Sequence, residues 1–360
     1  MLKHANSMKN LGRQGALELE QVLKKIPALE IDRLQVTASE TDSGIDVMLE
    51  VSLAGQKYRL IGEVKSSGQP RFVREAILQL KSHVSKSKTP LIPIMIAPFL
   101  SAKARELCAN EGVSFADFEG NCRIAFGPVY VEVSVPNRPA VERRDLKSLF
   151  KPRSAQVIRL LLRDPKVLWT LSDLSAASGV SIGHVSNVRT ALINHEWAET
   201  IDKGFRISAP DALLDAWKGS YETLSLSQEA FYTPLHGAGL QAALQELFAS
   251  ISPKAQVALA SFSAAQWIAP YGRTHNQYFY CDDVHLHEMI KTLVLSVAVK
   301  GENVVIWDPS DPGVFTDAFS TPNGLRCTSP LQTYLDLTKS GERGIEAAEH
   351  LRADKLQWPK

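Results

Sequence analysis

The run from Lys151 to Ser208 constrains this chain most, because it holds three helical patterns and then a hairpin pattern within about sixty residues. Ala155 to Leu162 places Val157, Ile158, Leu161 and Leu162 at helical spacing, giving one apolar face. Thr170 is the expected N-cap of a second helix holding Leu171, Leu174 and Ala177, and Gly179 is its expected stop. Ser181 then caps a third helix whose Val185, Val188 and Leu192 turn inward. Ala198 to Ile201 and Phe205 to Ile207, joined through Asp202, Lys203 and Gly204, form the hairpin. Helix, glycine turn and helix followed by a hairpin is a winged helix-turn-helix, whose second turn-flanking helix enters the DNA major groove. The residues expected at DNA are Ser181, His184, Ser186, Asn187 and Arg189 on that helix, with Lys203 and Arg206 on the wing. Asn187 and Arg189 have the donor geometry to read adenine and guanine, and the wing cations suit phosphates.

A net charge of +1 gives no general attraction to a polyanion, so affinity for double-stranded DNA must come from local clusters. From Lys147 to Ser208 there are nine basic residues against five acidic ones, a local excess in the right place. The 360 residues exceed one ordinary core, and three domains are expected: 1–140, 147–209 and 210–360, with a charged linker from Val141 to Lys151. Cys108, Cys122, Cys281 and Cys327 show no paired short spacing, which argues against a disulfide framework or a zinc knuckle. The N-terminus lacks a signal-like apolar run and no long uncharged apolar stretch occurs, so a cytoplasmic protein without a membrane span is expected.

The first domain opens with a helical pattern from Gln14 to Lys25. Strand patterns from Ile45 to Leu53 and Lys57 to Val64 follow, joined by Ala54, Gly55 and Gln56 as a hairpin. A helix is expected from Pro70 to Val84, a doubly covered strand from Pro90 to Ala97, a helix capped by Ser101, and short strands ending before Pro136 to Pro139. In this order Asp46 stands on one strand of the hairpin, after Gly44, and Glu63 and Lys65 share one face of the next. Two carboxylates and a lysine at a sheet edge can bind one or two Mg2+ ions and orient a hydrolytic water, as phosphodiester cleavage requires. The arrangement resembles the PD-(D/E)XK nuclease superfamily, with Gln79 resembling its auxiliary glutamine and Glu18 or Glu20 its further acid. The Pro-Asp dipeptide of that superfamily is missing. The resemblance implies a restriction-endonuclease-like mixed sheet and a catalytic set of Asp46, Glu63, Lys65, Gln79 and Glu18, with Asp46 and Glu63 as metal ligands if the site is active rather than vestigial.

The last domain, from about Pro210, alternates helical patterns such as Ala238 to Ser250 with strand patterns such as Asn303 to Trp307, giving an α/β domain of undetermined sheet order. Asp117 and Asn121 flank Gly120 as a turn would. His275, His285 and His287 with Asp282 and Asp283 have metal-ligand chemistry, but a helix starting at Asp282 accounts for the acids as caps. Asp46 with Glu63 to Lys65, Ile96 to Ser101, Asp117 to Asn121, the winged helix, Ser263 to Ala265, Ala269 to Tyr271, Gly301 to Val304, Gln332 to Leu337 and Gly344 to Ala348 together resemble the AbiEi-like family. That family comprises transcriptional-regulator antitoxins of type IV toxin-antitoxin systems. The resemblance implies sequence-specific DNA binding that represses the chain's own operon, with a nucleotidyltransferase-type toxin as cognate partner; a homodimer is a separate candidate partner. The alternative reading is a Mg2+-dependent DNA endonuclease in phage or plasmid defence, targeted by the winged helix.

Overall fold

The computed structural model describes residues 2–36, 45–135, 146–222, 225–272 and 274–358; Gly44, the stretch from Pro136 to Pro139 and the linker from Val141 to Asp145 lie outside them. The protein is a mixed α/β chain of two compact units: Met1–Arg144 with Arg189–Glu199, and Asp145–Val188 with Thr200–Lys360. Among the described residues no helix is long and apolar enough to cross a membrane.

In the first unit, helix α1 (Leu2–Leu23) precedes a seven-stranded sheet in sequence order: β1 (Leu29–Val36), β2 (Val47–Leu53), β3 (Gln56–Val64), β4 (Ile92–Ala97), β5 (Ser114–Asp117), β6 (Cys122–Phe126) and β7 (Val129–Val133). The hairpin between β2 and β3 needs only two residues, Ala54 and Gly55, both at positive φ (52° and 81°), the pairing a twisted hairpin favours. Helices α2 (Pro70–Lys86) and α3 (Ala102–Asn110) supply the crossovers that let β3, β4 and β5 run parallel. Strand alternation sorts side chains to two faces. Val47, Leu49, Leu60, Val64, Ile94 and Ile96 join Ala16, Leu19 and Leu23 of α1 in one core. Ile61, Met95 and Ala97 join Val73, Ala76, Ile77 and Leu80 of α2 in the other. The helix expected from Gln14 onward is the second half of α1, and β1 is a strand that sequence periodicity did not signal.

In the second unit, α4 (Pro152–Arg163) and α5 (Leu171–Ser178) come first. Thr170 caps α5 by accepting the Asp173 N–H, and Gly179 ends it in the left-handed region (φ 67°). Helix α6 (Ile182–Asn194) follows, with residues in both units, and β8 (Ala198–Ile201) pairs with β9 (Gly204–Ile207). Trp169 exchanges backbone hydrogen bonds of 2.9 Å with Phe205, so the segment before α5 extends the hairpin.

After α7 (Pro210–Ser220) comes a second seven-stranded sheet. Its strands are β10 (Ser225–Tyr232), β11 (Val257–Leu259), β12 (Gln277–Cys281), β13 (Ser296–Val297), β14 (Val304–Pro309), β15 (Phe319–Ser320) and β16 (Arg326–Cys327), in the order β13-β10-β14-β12-β11-β16-β15. In this sheet, among the described residues, β12 with β14 and β11 with β16 pair in parallel and the other neighbours antiparallel. Helices α8 (Gly237–Ser250), α9 (Ser261–Ile268), α10 (Asp283–Thr292), α11 (Pro330–Leu337) and α12 (Gly341–Lys355) complete the unit.

Candidate functional site

The hairpin register sets the Asp46 backbone opposite the end of β3, where Glu63 stands. Val47 faces Gly62, and the Asp46 N–H donates to the Gly62 carbonyl at 2.8 Å, so Asp46 stands beside the Glu63 to Val64 peptide. Its Oδ2 accepts the Val64 N–H at 2.7 Å, which fixes the carboxylate at the end of β3. Glu63 is buried, and the Lys65 ammonium lies 2.9 Å from its Oε1. The same ammonium donates to Gln79 Oε1 at 2.9 Å. Gln79 reaches it because α2 covers the face carrying Ile61, and residues 61, 63 and 65 share that face by alternation. Lys65 itself is anchored by its N–H to the Ile96 carbonyl at 2.9 Å.

Glu63, Lys65 and Gln79 thus meet at one place, and Asp46 is held at the neighbouring Val64 N–H. Glu18 does not join them: it sits on α1, whose Gly15 lies against Val64 and Ile96, on the opposite face of the sheet. Two acids are therefore the carboxylate set, and among the described residues no group of three or more His, Cys, Asp and Glu is placed to hold a metal. Two carboxylates suit Mg2+, which keeps several waters and completes its shell with substrate phosphate oxygens. The donor set fits that ion, with Asp46 and Glu63 as the side chains that would hold it.

On α6, Ser181 just before it and Asn187 are exposed, while His184, Ser186 and Arg189 are half-buried. The ring of His184 is committed inward, its Nε2 lying 2.9 Å from Oγ of the buried Ser154. Helical phase separates Asn187 from Arg189 by about 200°, placing Asn187 opposite buried Val185 and Arg189 on the flank. On the hairpin, Lys203 is exposed and Arg206 half-buried. The local basic excess needs a correction, because Arg159, one of its nine cations, is only 2% exposed. Its guanidinium donates to Gln332 Oε1 at 2.6 Å, lies 3.6 Å from the Asp311 carboxylate, and stacks over Trp217 at 5.3 Å. Nothing in its sequence context distinguished it from a DNA-facing arginine.

Two further sequence expectations hold as structure. Asp117 is a turn organiser, accepting N–H groups from Leu100, Glu119 and Asn121 and the Asn121 side-chain amide. Asp282 caps α10, accepting the His285 N–H at 3.1 Å. The Val64 N–H, which orients Asp46, could not have been named from sequence, since every residue carries such a donor.

A comparison with curated proteins finds no match. Among solved structures, one titled "Structure of EndoMS in apo form" is similar at 18% identity over 29% of this chain, with a TM-score of 0.22. That similarity spans 45% of the other chain, less than half its length. Residues 206–357, which begin at the end of β9 and run through α12, match the family model of the transcriptional regulator AbiEi antitoxin of type IV toxin-antitoxin systems.

Proposed function

We propose that this chain is a DNA-binding transcriptional regulator of the antitoxin kind, in which α4 to α6 and the β8-β9 hairpin act as a winged helix. The observation that carries this reading is the sequence of three helices and a hairpin ending at Ile207, where the region matched by the antitoxin regulator model begins. In this reading α6 enters the major groove with Asn187 on base edges, Ser181 and Ser186 contact the groove edge, Lys203 and Arg206 meet phosphates, and Arg189, on the flank away from Asn187, meets the DNA backbone. His184, held by Ser154, positions the helix start rather than the DNA. A cognate toxin of nucleotidyltransferase type and a second copy of the chain are the protein partners. The decisive test is a gel shift with the DNA upstream of the chain's own gene against an unrelated duplex of equal length. Equal affinity for both would refute sequence-specific repression.

The cluster of Glu63, Lys65 and Gln79, with Asp46 held at the neighbouring Val64 N–H, favours a second reading, Mg2+-dependent cleavage of DNA. A bound ion would supply Lewis acidity to the phosphate under attack. The chain's own contribution is separate from that: Val64 holds Asp46 in place, and Glu63 and Gln79 hold the Lys65 ammonium, whose charge in this reading would stabilise the phosphate under attack. Plasmid incubated with Mg2+ is expected to be nicked by the natural chain and left intact by Asp46→Ala. Nicking that persists in the variant would mean the activity does not come from this site.

A further inference from the structure

We infer that Arg74 is a positioning residue through which α6 and the Lys65 cluster act on one another. The inference rests on the two readings above, that α6 contacts DNA and that the cluster is a phosphodiester site. Residues Arg189–Glu199, the second half of α6 and the turn after it, belong to the same compact unit as the cluster. There Arg74 of α2 grips Glu196 with two parallel bonds, Nε to Oε1 at 2.8 Å and Nη2 to Oε2 at 2.9 Å, and Arg71 reaches Asn194 at 3.5 Å.

The pair is half-exposed, with side-chain exposures of 51% and 30%, so it is a weak source of stability. Its value is directional, because a bidentate guanidinium–carboxylate pair fixes orientation as well as distance. Glu196 moreover adopts φ 57°, a conformation costly for a residue with a side chain and typically kept where geometry matters. Helix α2 makes the connection rigid. Its inner face, Val73, Ala76, Ile77 and Leu80, is buried in the sheet core, and Gln79, one and a half turns after Arg74, holds Lys65. Movement of the α6 end therefore displaces the partner of Lys65, and binding at α6 biases the cluster.

Hydrogen–deuterium exchange of the full chain, with and without a 30-base-pair duplex at low salt and without divalent metal, tests this. The duplex is expected to slow exchange in α6 and the hairpin and also to change it across α2. In Glu196→Gln and Arg74→Gln the α6 response remains and the α2 response is lost. The charge-swapped double variant, Arg74→Glu with Glu196→Arg, recovers it. An α2 response that survives both single variants, or its absence in the natural chain while α6 responds, overturns the inference alone. A duplex that changes neither α6 nor the hairpin overturns the DNA reading and the inference with it.

Discussion

Single residues set the chemistry of each unit. Gly68 is one such residue, because a Cβ there would lie 1.8 Å from the Phe99 carbonyl oxygen and 2.8 Å from its carbon. The segment leaving Lys65 can follow this path only without a side chain. Gly68→Ala should force the backbone outward and destabilise the first unit by at least about 1–3 kcal/mol; an unchanged melting temperature would show that the segment has room. Asp336 plays a comparable part in the second unit. Burial pushes its carboxyl up to about 7, against hydrogen bonds from Tyr221, Tyr280 and Gln332 and the nearby Arg159, all of which favour the charged form. An unfolded aspartate titrates near 3.9, so between roughly pH 4 and 7 the folded chain holds a proton that the unfolded chain has released. Stability therefore falls as pH rises through that window, and is largest below it as far as this group is concerned. Asp336→Asn should flatten the dependence. Thermal melts of both proteins at pH 4.5, 6 and 7.5 would expose a failure as two parallel curves.

At the scale of elements, α6 and the hairpin separate two kinds of contact. Asn187→Ala should cost roughly 1–3 kcal/mol on the true operator and much less on arbitrary DNA, because a bidentate contact to adenine is sequence-specific. Arg189→Ala, on the flank away from Asn187, should weaken operator and arbitrary DNA alike. Lys203→Ala and Arg206→Ala should instead weaken every duplex alike and reduce the steepness of the salt dependence. Fluorescence anisotropy at three salt concentrations distinguishes the patterns; loss of discrimination in the hairpin variants alone would make the hairpin the reader. The same scale shows why some elements were legible and β1 was not. Helices α4 and α5 declare themselves through apolar spacing, Thr170 and Gly179, all local signals. Strand β1 alternates imperfectly because its register shifts between Ile31 and Arg33, and Glu30, Asp32 and Arg33 interrupt its apolar residues. Only pairing with β2 makes it a strand.

At the scale of the molecule, the second unit is tied internally by Arg159. It lies on α4, outside the region that matches the family model, while its partners Asp311, Gln332 and Trp217 lie inside it. The first helix of the proposed winged helix and the antitoxin-like region are thus joined through a buried charge. Arg159→Leu should leave Asp311 uncompensated and cost roughly 3–5 kcal/mol, with Asp311→Leu in the same chain recovering part of the loss. Denaturant titration measures both, and a neutral single variant would show the pair to be dispensable.

What the sequence determined by itself was everything set within a few residues: the helix starts and stops around Thr170 and Gly179, the hairpin at Ala54 and Gly55, and the shared face of Glu63 and Lys65. Those follow from backbone preferences and from the period of two in a strand. The tertiary structure decided the rest. The register of β2 on β3 set Asp46 beside Glu63, the choice of face put α2 and Gln79 over Lys65 while sending Glu18 to the far side, and burial turned Arg159 from a surface cation into an internal one. The physical reason is common to all three. Such outcomes depend on which distant surface a side chain meets and how much water it loses there, and neither quantity is encoded in the residue or its near neighbours.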